Sequence, residues 1–92
     1  MNNQELINKC KQGLGISTET TSTDLDGGIS QKILAVQGYM KGAGVSEEAL
    51  TTDLGIGATV LGVADIWNAE GGKLKFSSVF LTFVTQLACG SD

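Results

Sequence analysis

Few residues in this chain could do chemistry, and their spacing suits little of it. The 92-residue sequence contains no histidine, so the usual general base and the commonest metal ligand are both missing. Cys10 and Cys89 lie far apart in sequence. Two such residues do not make a zinc site, which needs four ligands at characteristic spacings. Asp24 and Asp26 begin like a calcium loop, but the downstream Gly and Glu pattern fails. Gly55-Ile56-Gly57 lacks the third glycine and the preceding strand of a dinucleotide fingerprint. The sequence therefore predicts no enzyme, no catalytic residue, no bound metal and no cofactor.

The polar residue that stands out is Asp65, set inside the apolar run Asp53 to Asn68. A carboxylate there must face a solvated rim, or a hydrogen-bond or ionic partner within the chain or across a subunit contact. Trp67 has two readings also, as a core residue or as an interface anchor. The net charge is −4, and the cations are Lys9, Lys11, Lys32, Lys41, Lys73 and Lys75, with no arginine. Sequence-specific nucleic-acid readers use arginine and basic patches, so direct recognition of DNA or RNA is not expected. A protein that merely surrounds DNA without gripping it is compatible with this charge. Two cysteines are too few for a disulfide-dense secreted scaffold, and both are expected as free thiols in a reducing compartment. Residues 1 to 16 lack the apolar core and cleavage site of a signal peptide, which points to the cytoplasm.

The elements that would carry these residues are helical. The length suits one domain spanning residues 1–92. A hydrophobic content of 41% is too high for disorder and too low for an integral membrane protein. Leu6, Ile7, Cys10 and Leu14 share one face of a first helix over 3–13, closed by Gly13 and Gly15. Leu25, Ile29, Ile33, Val36 and Met40 form the stripe of a second helix over 23–41, with Thr23 as its N-cap. Ser46 caps the next start, with Val45 and Leu50 as a hydrophobic staple. From there the favoured reading is one helix over 46–68, kinked near Gly55 and Gly57; Thr52 or Asp53 capping a fresh helix is the alternative.

The apolar band of that central helix is wide enough to be packed on two sides. Its three glycines cost about 3 kcal/mol against alanine, which close packing must offset. That packing lies within the chain or, alternatively, between subunits. Asp65 also interrupts the run well short of the ~20 residues that span a bilayer. Gly71 and Gly72 end the helix. Ser77 caps a last one over 77–88, with Phe76, Phe80, Phe83, Val84 and Leu87 along its core stripe. The result is an all-α, compact bundle of about four helices.

The order of these elements resembles a known family. A short helix ends in Leu14-Gly15-Ile16, and a polar loop leads to a helix ending in Tyr39-Met40-Lys41-Gly42-Ala43-Gly44-Val45. The long helix ends in Val63-Ala64-Asp65-Ile66-Trp67-Asn68. Phe76-Ser77-Ser78 opens a helix ending in Gln86-Leu87. Together these segments resemble the head-tail connector, or head-completion adaptor, proteins of tailed bacteriophages, over nearly the whole chain. The resemblance implies a structural subunit that assembles into a ring of about a dozen copies. Such a ring docks on the portal protein of a filled capsid and extends the DNA channel without sequence-specific binding. It also offers a platform for the stopper or tail-completion protein. It implies a virion location at the head-tail interface, assembly in the host cytoplasm and no membrane.

Gly57, Asp65, Trp67 and Asn68 are the expected subunit-interface residues. Gly71, Gly72, Lys73, Lys75, Cys89, Gly90, Ser91 and Asp92 are the expected portal or stopper contacts. The Ser17 to Thr23 loop is a further candidate surface. Family members often carry a longer tail after the last helix than the Cys89 to Asp92 stretch seen here. Two other classes remain open: a small regulatory or scaffolding bundle, and a membrane-active, bacteriocin-like protein suggested by the LGIGATVLGVA segment.

Overall fold

A central helix with almost no charge must find apolar neighbours on several sides, and here it finds four. A computed structural model describes residues 3–20, 22–69 and 75–89. Five helices run in order: α1 (Asn3–Leu14), α2 (Thr23–Gly42), α3 (Glu47–Leu50), α4 (Asp53–Trp67) and α5 (Ser78–Cys89). The described residues are 78% helical, with no strand among them. Helices α1, α2, α3 and α5 all pack on α4, and α1 also packs on α2. The expected all-α bundle is the observed architecture. No helix among the described residues is long and apolar enough to cross a membrane.

The core follows the sequence stripes closely. Ile7 and Cys10 of α1, and Ile29, Ile33, Val36 and Met40 of α2, are buried. So are Ala58 and Val63 of α4, and Phe80, Val84 and Leu87 of α5. Phe76 and Phe83 pack partly buried against that cluster. Phe76 stacks on Phe80 at 4.5 Å between ring centroids, and Tyr39 of α2 lies 4.9 Å from Phe76. This aromatic trio ties the start of α5 to α2.

The single helix expected over 46–68 is two helices. Ser46 caps α3 by accepting from the Ala49 N–H at 3.1 Å, and Val45 and Leu50 are both buried, as the staple requires. After Leu50 the chain turns at Thr51 and Thr52. Thr52 becomes a new N-cap, its hydroxyl oxygen accepting from the Gly55 N–H at 3.1 Å. Two consecutive threonines with hydroxyls that bond nearby backbone favour a cap over helix continuation. The break therefore falls at Thr51-Thr52, not as a kink at Gly55 and Gly57. A smaller correction concerns α2. Its N-cap is Ser22, not Thr23, with the serine oxygen accepting from the Leu25 N–H at 3.4 Å. Gly27 and Gly28 are carried inside the helix.

Helix ends use glycine where the backbone turns left-handed. Gly15 has φ +76° and Gly44 has φ +103°, a region that side chains with a Cβ avoid. The three α4 glycines divide into two kinds. A Cβ on Gly62 would stand 2.7 Å from both Val36 Cγ1 and Phe80 Cε1, and one on Gly55 would run into the α3 backbone. One on Gly57 would meet nothing within 4 Å.

Candidate functional site

The C-terminal end of α4 gathers three of the four expected interface residues, and each has an explicit local role. Asp65 is half-buried, and its Oδ2 accepts from the Ser77 N–H at 2.9 Å. Ser77 is the cap of α5, its Oγ accepting from the Phe80 N–H at 3.2 Å. The carboxylate thus binds the N-terminus of the next helix, where negative charge is favoured. Of the readings open for Asp65, the hydrogen bond within the chain is the one realised.

Asp65→Ala should therefore weaken the monomer itself. A hydrogen bond to a charged group is worth roughly 1.5–3 kcal/mol. We expect a loss in that range in urea unfolding, with Asp65→Asn, which keeps the acceptor, much closer to wild type. A loss under about 0.5 kcal/mol for alanine would mean that water replaces the contact freely.

Trp67 is 39% exposed. The Lys32 ammonium of α2 lies 5.3 Å from its ring centroid, a cation–π contact worth roughly 0.5–1 kcal/mol at an exposed site. Asn68 is exposed and forms the C-cap, its N–H donating to the Ala64 carbonyl at 3.0 Å. Gly57 does not join this group. It stands about 12 Å back along the helix, in an open groove of about 610 Å³ between α1 and α4, with Lys9, Gln12, Asp53 and Ile56. Among the expected portal or stopper contacts, Lys75 and Cys89 are exposed. Gly71, Gly72, Lys73, Gly90, Ser91 and Asp92 lie outside the described residues.

Exposed apolar residues mark the remaining surface. Leu34 on α2 is 68% exposed, Val79 and Leu81 on α5 are 53% and 41% exposed, and Tyr39 and Leu54 are open as well. No cluster of three or more His, Cys, Asp or Glu able to hold a metal occurs among the described residues.

The feature that sequence reasoning missed is Lys11. It is completely buried, whereas composition places it only among the six lysines. Its ammonium donates to the Thr20 carbonyl at 2.9 Å and lies 2.8 Å from Asp26 Oδ1, as an ion pair without a well-aligned hydrogen bond to that oxygen. The signal was present in the spacing. Ile7, Cys10, Lys11 and Leu14 fall at i, i+3, i+4 and i+7, so Lys11 shares the inward face of α1.

Cys10 and Cys89 are free thiols, the first buried and the second exposed. Burial pushes the Cys10 thiol up from its ordinary 9.0 to about 11. The fold disfavours its thiolate, so this contribution to stability is intact below pH 9 and is lost as pH rises from 9 towards 11. In native protein at pH 8, iodoacetamide should modify Cys89 and spare Cys10. Unfolding in urea should release Cys10 to reaction, with peptide mass spectrometry as the readout. Equal labelling of both thiols in the native protein would contradict the burial.

The fold and site together define a small all-α protein. Its main features among the described residues are a helix-end junction around Asp65, Trp67 and Ser77 and apolar side chains left open on α2, α4 and α5. Compared with protein-family models, with curated proteins and with solved structures, the chain matches none.

Proposed function

We propose that this protein is a structural subunit of a head-tail connector ring, one that sits on a portal protein and carries a stopper or tail-completion protein. The observation that carries the reading is the set of large apolar side chains left in solvent by a chain of this size, Leu34, Trp67, Val79 and Leu81. Exposed apolar residues on several elements are what a subunit needs if its neighbours complete its burial. The resemblance of the Asp65-Ile66-Trp67-Asn68 helix end and the Phe76-Ser77 start to connector proteins supports the same reading, as does the helical bundle. A net charge of −4 without arginine suits a channel through which DNA slides without being gripped.

The test is negative-stain microscopy of the chain mixed with portal-bearing capsids from its own genome neighbourhood. An annular density added at the portal is the expected result. Unchanged portals that still accept their other partners would overturn the reading in favour of a regulatory or scaffolding bundle. Trp67→Ala should reduce the annulus while leaving the monomer folded. Asp65→Ala is the poorer probe, because it also removes the α5 capping bond; Asp65→Asn separates the two effects.

A further inference from the structure

We infer that the outward faces of α5 and α2 are the two halves of one head-to-tail contact between copies of this chain. This rests on the assembly reading above and names the surfaces that would serve it. α5 is the only one of the five helices with no charged residue. Its outer face presents Ser78, Val79, Leu81, Thr82, Thr85 and Gln86. The Thr82 hydroxyl donates to the Ser78 carbonyl at 2.8 Å, and the Thr85 hydroxyl to the Leu81 carbonyl at 3.0 Å. Both donors are satisfied inside the helix, so covering this face strands neither of them and desolvates no charge.

The occupant is a second copy because of the charge pattern. A chain of net charge −4 repels its copies wherever charged surfaces meet. Contact is favoured where both faces are uncharged. The second such face is on α2, where Gln31, Leu34, Ala35 and Gly38 are exposed at i, i+3, i+4 and i+7. Leu34 is the most exposed large apolar residue described, and the space above Gly38 is open. The one cation on this stretch, Lys32, is drawn over the Trp67 ring, and Lys41 beyond it is paired with Glu47 at 2.6 Å. Two different faces of one molecule make a heterologous contact, the kind that closes into a ring. α5 is about 18 Å long, so one contact covers well under the roughly 800 Å² per partner of a stable pair. Single contacts are therefore weak, and ring closure strengthens them by multiplying the number made.

Sedimentation velocity over a concentration series reaching about 1 mM tests this, since a contact weaker than that would have no use in assembly. The wild-type chain should associate. Leu34→Glu and Thr82→Lys should each weaken association by roughly tenfold or more, with an unchanged melting temperature. Mixed in equal amounts, the two variants should associate again, because every contact in an alternating array is then either wild type or lysine against glutamate. The inference is overturned if the wild-type chain stays monomeric throughout, including the case where the portal alone captures it through α5. It is overturned equally if either variant associates as tightly as wild type, or if mixing restores nothing. Association that survives both substitutions would move the contact elsewhere and leave the ring reading intact. An absent annulus on the portal would sink that reading whatever the sedimentation showed.

Discussion

Asp26→Ala should destabilise the fold by about 3–5 kcal/mol, the range for removing one partner of a buried ion pair. The asymmetry of the pair decides this. The Lys11 side chain is fully buried, while that of Asp26 keeps 25% of its surface in water. Without Asp26, a full ammonium charge is held in the interior with the Thr20 carbonyl as its remaining partner. Without Lys11, the carboxylate that remains can still reach solvent, so Lys11→Met should cost less, about 1–2 kcal/mol. Removing both charges in Lys11→Met with Asp26→Leu should recover most of the loss, because the desolvation penalty disappears with the pair. A domain of this size has a total stability of roughly 5–14 kcal/mol, so Asp26→Ala alone threatens folding at physiological temperature. Urea unfolding of the wild type, Lys11→Met, Asp26→Leu and the double variant gives the coupling energy directly. A single-variant cost for Asp26→Ala below that of Lys11→Met would refute the assignment of the stranded charge. The pair also has a structural consequence: it ties α1 to α2 and holds the loop between them through Thr20.

Gly55→Ala and Gly57→Ala should have opposite signs although the positions are two residues apart on one helix. At Gly55 an added Cβ overlaps the Ala49 carbonyl oxygen and comes 2.8 Å from Leu50 Cα and 2.9 Å from Leu50 C. All three are backbone atoms at the end of α3, so no side chain can swing aside. Overpacking usually costs about 1–3 kcal/mol and more where the backbone must move; we expect about 3 kcal/mol or above. At Gly57 the added methyl meets nothing, and alanine is the better helix former by roughly 0.5–1 kcal/mol. Gly57→Ala should therefore raise the melting temperature. The same variant bears on assembly. If the groove beside Gly57 receives a neighbour's backbone closely, the stabilised monomer should fail to form annuli on the portal. Normal annuli would place Gly57 outside the subunit contact.

These two contrasts show where the sequence was legible. Helix α2 could be read almost residue by residue, because Ile29, Ile33, Val36 and Met40 repeat at helical spacing and all four are buried. The Ser46 and Ser77 caps were equally plain, since an N-cap is decided by a few neighbouring residues. Reading α3 and α4 as one helix failed for a local reason. Each threonine of the Thr51-Thr52 pair tolerates a helix, and only their joint bonding back to Glu48 and Ala49 carbonyls tips the balance to a turn. For the candidate site, the spacing singled out Asp65 without choosing its partner. That partner, Ser77, is twelve residues further along the chain.

By itself the sequence determined the helical class, the apolar stripe of α2 and the Ser46 and Ser77 caps, because periodicity and capping are properties of neighbouring residues. Tertiary structure alone decided that Lys11 is an interior charge, that Gly55 and Gly62 serve close packing while Gly57 does not, and that Asp65 holds the next helix instead of facing water. Each of those outcomes depends on which atoms from distant parts of the chain arrive within a few ångströms. Local spacing sets the face on which a residue sits, but the group that meets it there is set by how the helices cross.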